Sequence, residues 1–188
     1  MQLVRADGSA APVGVLGDSL VVTEKSGAIE TVSLRDGAVS RELVSLALPA
    51  DALATPFGLV TRGATAYITV ADSDEVLLVR NGQLLANVAT GVPNGAGQQA
   101  PCWIAIVGPY LFTANSPSHS ISRLVTAGQR LRLDAPVAAT TVGAPIDITV
   151  DGDVLAVVDT ANGTSRVTQF CIDEDGNLVK TATSTVNT

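Results

Sequence analysis

Ala100-Pro101-Cys102-Trp103-Ile104-Ala105-Ile106, continued by Tyr110-Leu111-Phe112-Thr113-Ala114-Asn115, holds the only Trp of the 188-residue chain and one of its two Cys. The pattern recurs. Pro12-Val-Gly-Val, Pro56-Phe-Gly-Leu and Pro145-Ile-Asp-Ile open the same kind of run, and the four prolines are spaced 44, 45 and 44 residues apart. A fixed period of this size marks stacked copies of one supersecondary unit.

Each repeat has the same internal grammar. In the second, an apolar run over 57–61 is followed by the turn Arg62-Gly63-Ala64, a second run over 66–71 and the loop Asp72-Ser73-Asp74. A third run over 75–80, the turn Asn81-Gly82 and a fourth run over 83–88 complete it. Asn-Gly is a strong two-residue hairpin signal because both positions tolerate positive φ, and Asp36-Gly37, Asp151-Gly152 and Asp175-Gly176 suit similar corners. Alternation in Leu155-Ala-Val-Val-Asp and Val167-Thr-Gln-Phe-Cys-Ile fits strands. Hydrophobic content is 46% with only 3% aromatics. The interior must therefore be built from Val, Leu, Ile and Ala, a mix with plentiful Thr, Gly and Pro that favours short strands and tight turns.

Four strands per repeat of 44–45 residues match the blade of a β-propeller, whose repeats run about 40–50 residues. An immunoglobulin-like sandwich does not account for a fourfold internal repeat. The expected architecture is an all-β, single-domain propeller of four antiparallel four-stranded blades at about 11–54, 55–99, 100–143 and 144–188. Residues 1–10 read as a tail from a preceding blade. The four blades are either part of a larger ring or a small closed one.

Net charge is −7, which argues against nucleic acid and anionic membrane surfaces as partners, since both require clustered Lys and Arg. No stretch approaches the roughly 18 apolar residues of a spanning helix. The start, Met1-Gln2-Leu3-Val4-Arg5-Ala6-Asp7, lacks the basic segment and apolar core of a secretory signal, so the default expectation is a cytoplasmic protein, unless the natural N-terminus is missing here. Cys102 and Cys171 stand at non-equivalent places in their repeats and have no C-x-x-C spacing, which disfavours zinc. Two half-buried free thiols are the plainer reading, and a disulfide between neighbouring blades is the alternative.

In a blade the first strand lines the channel, and its start shares a face with the loop between strands two and three. That face brings Phe57, Cys102-Trp103 and Asp147 beside Glu24-Lys25, Asp72-Ser73-Asp74, Asn115 to His119 and Asp159 to Asn162. Rigidly held loops concentrate binding sites, so this is the candidate site face. Glu24, Asp72, Asp74, Asp147 and Asp159 are its acids; Lys25, His119 and Arg166 are its cations. Such a mixture suits a small ligand bearing carboxylates or hydroxyls. The competing reading is that Asp, Asn and Ser here only close turns through their own backbone.

Three motif matches do not survive their context. Gly17-Asp18-Ser19-Leu20 resembles a serine-esterase nucleophile block but falls at a hairpin turn, and the sole His, His119, lies mid-chain without a neighbouring acid. Gly95-Ala96-Gly97-Gln98-Gln99-Ala100 would need a helix after it to bind a dinucleotide, and a strand follows instead. Asp173-Glu174-Asp175-Gly176-Asn177 lacks the alternating acids and distal Glu of a calcium loop.

Leu20-Val-Val-Thr-Glu-Lys25, Thr55-Pro-Phe-Gly58, Ala100-Pro-Cys-Trp-Ile104, Thr113-Ala-Asn-Ser116 with Ser120-Ile-Ser122, and Ala144-Pro-Ile-Asp147 together resemble the lactonase family of seven-bladed propellers, which includes propeller-type 6-phosphogluconolactonases and carboxy-muconate cyclases. The blocks come in that family's order and cover nearly the whole chain from residue 11. The resemblance implies a C-terminal group of blades. A half ring would leave two unpaired blade faces, open to pairing with another copy. The family's Gly-Pro-Arg-His block is replaced by Ala-Pro-Cys-Trp at 100–103, so the resemblance implies the fold more firmly than hydrolysis.

The activity implied is opening or closing a lactone ring on a small sugar acid or muconate-like acid, with no metal or organic cofactor. The expected catalytic groups are Lys25 and His119 as cations and Glu24 or Asp147 for proton transfer. Phe57, Asp72, Cys102, Trp103, Asn115, Asp159 and Arg166 are the expected ligand contacts. The rival expectation is a non-catalytic propeller module that binds a ligand or protein on the same face, or a truncated fragment without activity of its own.

Overall fold

The computed structural model describes residues 9–46, 48, 55–91 and 97–186. Sixteen strands follow in order: β1 (Ala10–Leu16), β2 (Ser19–Glu24), β3 (Ala28–Arg35), β4 (Ala38–Ser45), β5 (Pro56–Arg62), β6 (Thr65–Val70), β7 (Glu75–Arg80), β8 (Gln83–Ala89), β9 (Pro101–Val107), β10 (Tyr110–Asn115), β11 (Ser120–Ala127), β12 (Arg130–Thr140), β13 (Ala144–Asp151), β14 (Val154–Ala161), β15 (Thr164–Ile172) and β16 (Leu178–Val186). They form four separate four-stranded antiparallel meanders, one per repeat. The chain is therefore all-β and built as propeller blades. Residues 1–8 of the expected 1–10 tail, and Gly95 and Ala96 of the Gly95–Ala100 motif, lie outside the described residues.

Tight corners hold the meanders. Gly17, Gly63, Gly108 and Gly152 sit at the same first hairpin of each blade, all with φ between 52° and 59°. Only a residue without Cβ takes that conformation at little cost. The Gly17-Asp18 pair is one of these corners and not a nucleophile block.

Blades stack through three apolar layers. Val21, Ile29, Ile68 and Leu77 join blades one and two; Tyr67, Leu78, Leu111 and Leu124 join two and three; Phe112, Ile121, Leu155 and Phe170 join three and four. All twelve are buried. Successive residues of a strand point to opposite blade faces, so each central blade contributes to two layers. Inner strands pack in the sequence β1, β5, β9, β13, and among the described residues no comparable packing joins β13 back to β1. Val13 and Val15 of β1 are 61% and 58% exposed. Among the described residues the four blades form an open arc, consistent with a partial propeller.

Candidate functional site

The start of every inner strand carries the same irregularity. Register slips between Ala10 and Val13, Pro56 and Leu59, Pro101 and Trp103, and Pro145 and Asp147. A bulge of this kind takes one residue out of the alternation and re-aims its side chain. In blades three and four the displaced residues are Cys102 and Ile146. In blade two the slip spans Phe57 and Gly58. In blades two to four the slip begins at a Pro, which cannot donate to the ladder, and in blade one it begins at Ala10 and takes in Pro12.

Three of the nominated residues meet there. The Lys25 ammonium lies 4.5 Å from the centre of the Phe57 ring. Phe57 in turn meets Trp103 edge-to-face, with centroids 5.0 Å apart and planes at 82°. Lys25 belongs to blade one, Phe57 to blade two and Trp103 to blade three. The result is a shelf crossing three blades, with an exposed cation and two half-buried rings. Cation–π contact at a wet site contributes about 0.5–1 kcal/mol, enough to bias the Lys25 side chain over the ring. Cys102 is half-buried beside it; burial pushes its thiol pKa up, against the opposing pull of the Lys25 charge. Both cysteines are free.

Two threonines that sequence reading passed over fix this shelf. The Thr23 hydroxyl donates to the Phe57 carbonyl at 2.9 Å, and the Thr69 hydroxyl to the Cys102 carbonyl at 3.2 Å. Thr23 and Thr69 hold the same place in successive blades, so in blades one and two a hydroxyl ties down the next bulge, while Ala114 and Val158 hold that place in blades three and four. Gly58 permits the approach: a Cβ there would sit 2.5 Å from the Cys102 carbonyl oxygen and 3.0 Å from the Trp103 Cα. Thr23 and Thr69 lie 46 residues apart, two more than Pro12 and Pro56, so the proline period does not bring them into phase.

The remaining nominated residues are placed elsewhere. Glu24 and Asn115 end the second strands of their blades, Asp159 holds the equivalent place two residues before the end of β14, and all three are 0% exposed. The Asn115 amide donates to Ser120 Oγ at 3.2 Å and Ser122 Oγ at 2.8 Å. Asp159 accepts the Gly143 N–H at 2.9 Å and faces Arg166 at 3.4 Å. Asp72 is exposed and accepts the Thr55 hydroxyl at 2.5 Å. Asp147, on the outer face of blade four, accepts its neighbour Ile148 N–H at 2.8 Å. His119 is exposed with φ 49°, a left-handed turn position matching Asp74 with φ 57° in blade two. Asp74 accepts the Ala100 N–H at 2.7 Å, tying blade two to the start of blade three. No acid and base converge on the shelf among the described residues, and grooves such as one of about 650 Å³ beside Gly17, Ala64 and Gly82 lie at the hairpin end.

No family model matches the chain, and no curated protein is similar to it in sequence. Solved structures do match. A candidate 6-phosphogluconolactonase from Bacteroides uniformis superposes with TM-score 0.70 at 20% identity, over 91% of this chain and 55% of that one. Virginiamycin B lyase from Staphylococcus aureus gives TM-score 0.69 at 16% identity, over 95% and 57%. The computationally designed Ika4 protein gives 0.61 at 14% identity, over 88% and 94%. At these identities the likeness is one of fold, and the chain spans little more than half the length of the first two.

Proposed function

We propose that this chain is a ligand-binding segment of a lactonase-type propeller scaffold, and that its shelf takes a small anionic, sugar-acid-like ring. The observation that carries the reading is the packed series Lys25, Phe57 and Trp103 across three consecutive blades. Aromatic faces accept the C–H surface of a sugar ring, while the ammonium draws its carboxylate. The name of the Bacteroides uniformis neighbour, a candidate 6-phosphogluconolactonase, supports a lactone-directed scaffold. Binding is favoured over turnover because Glu24 is buried, His119 closes a turn and Asp147 occupies another face.

Lactone hydrolysis is the second reading, favoured by one feature: Lys25 is an exposed ammonium able to stabilise a developing oxyanion. A panel of aldonic acids and their lactones, with and without a phosphate, separates the two. Saturable binding of the acids without turnover of the lactones is the expected outcome. Turnover abolished in Lys25→Met would favour the hydrolase, and no binding or turnover of any member would overturn both.

A further inference from the structure

The two ends of the arc carry the two halves of a blade-to-blade contact. We infer that a second copy of this chain docks head to tail, the outer face of blade four against the outer face of blade one, closing a two-copy ring. The internal joints supply the template. At the joint between blades three and four, blade four presents Ile148, Leu155 and Val157 toward its predecessor. The register of β1 and β2 puts Val13, Val15, Leu20 and Val22 on the corresponding face of blade one. There the two β1 valines are exposed and the two β2 residues half-buried.

The opposite half sits on blade four. Blade three turns Phe112, Ala114 and Ile121 toward its successor. In the same register blade four offers Ala156, Val158 and Val167, half-buried and framed by exposed Asp147 and Thr149.

A polar feature also matches. The Ser116 hydroxyl donates to the Pro145 carbonyl across the joint between blades three and four at 2.7 Å. Asn115 pairs with Pro101 as Asp159 pairs with Pro145, so Thr160 holds the place of Ser116 in blade four. Ala10, paired with Glu24 as Pro145 is with Asp159, holds the place of Pro145 in blade one and offers the same backbone carbonyl; the structural repeat is offset by two residues from the Pro12 expected on sequence spacing. The hydroxyl donor and its carbonyl acceptor are thus on opposite ends of one chain. Each end is complementary to the other end and not to itself, which selects a second copy paired head to tail. Two such joints close on each other, so forming one places the second at high effective concentration.

Sedimentation velocity of this chain tests the pairing directly. The expected species has twice the chain mass of 19.1 kDa. Val13→Asp and Val158→Arg should each shift it to monomer while the strand signal in circular dichroism is kept. Mixing these two variants should restore a dimer, because one of the two joints then has both faces intact. A monomer at all concentrations would overturn the inference. So would a ladder of longer oligomers, which means head-to-tail pairing without closure. A Val158→Arg chain that still dimerises would also contradict it, since pairing of blade one on blade one would then be the contact. Should either variant unfold, Thr160→Val provides the milder test, with weakened dimerisation expected and an unchanged dimer contradicting the shared hydroxyl.

Discussion

Lys25 and Glu24 are neighbours in sequence yet belong to regions that behave oppositely. Glu24, Val70, Asn115 and Asp159 occupy one position repeated in four blades, and each is at most 1% exposed. Lys25 stands one residue further on, exposed and over an aromatic ring. The polar members of the first set serve the fold: Asn115 secures Ser120 and Ser122, and Asp159 secures Gly143 and Arg166. The shelf of Lys25, Phe57 and Trp103 presents its polar group outward. A charged side chain is thus buried in the blade or turned to solvent according to a shift of one position along the chain.

Substitutions can break this division or sharpen it. Asp159→Ala should have the largest effect, leaving Arg166 and the Gly143 N–H without their acceptor. A loss of about 3 kcal/mol is expected, roughly 6–12 °C in thermal midpoint, with ligand affinity at the shelf unchanged below the transition. Gly58→Ala touches both regions, since its Cβ would collide with the Cys102 carbonyl. It should destabilise by about 1–3 kcal/mol and shift Trp103 emission together. Lys25→Met should change stability by no more than about 1 kcal/mol, the loss of its cation–π contact, and weaken binding of an anionic ligand at least roughly tenfold, or about 1.4 kcal/mol.

Protonation gives a smaller handle. The Cys102 thiol pKa is raised, chiefly by burial. The neutral thiol is thus the favoured form in the folded chain, and its contribution is fully present below the unfolded value of about 8.5. It is lost as pH rises above that value through the folded pKa. Denaturant unfolding between about pH 7 and 10 should show a decline that Cys102→Ala reduces, and alkylation of Cys102 at neutral pH should be slower than that of a free thiol.

The period of the prolines and the Asn-Gly and Asp-Gly corners made the blades legible, because strand and turn chemistry is local. The structure starts the inner strand of the second repeat at Pro56 and its last strand at Gln83, within a residue or two of expectation. The site was legible only in part. Phe57, Trp103 and Lys25 were nominated and do meet, while Glu24, Asn115 and Asp159 were nominated from their place near the loop face and are buried in their blades. Whether a strand's last residue points inward depends on the bulge at the paired proline, which displaces one residue and is set by backbone pairing. Thr23 and Thr69 escaped notice because their partners are carbonyls of the next blade, 34 and 33 residues away.

Trp103 is the only Trp in the chain and lies within the shelf, so its fluorescence reports the site without a label. Titration with an aldonic acid should be run on the unmodified chain, Lys25→Met and Asp159→Ala, each alongside a thermal melt. A saturable change lost in Lys25→Met with its melt intact, and kept in Asp159→Ala with its melt lowered, is the expected result. A response untouched by Lys25→Met, or lost in Asp159→Ala while that variant remains folded, would contradict the division between shelf and buried ring.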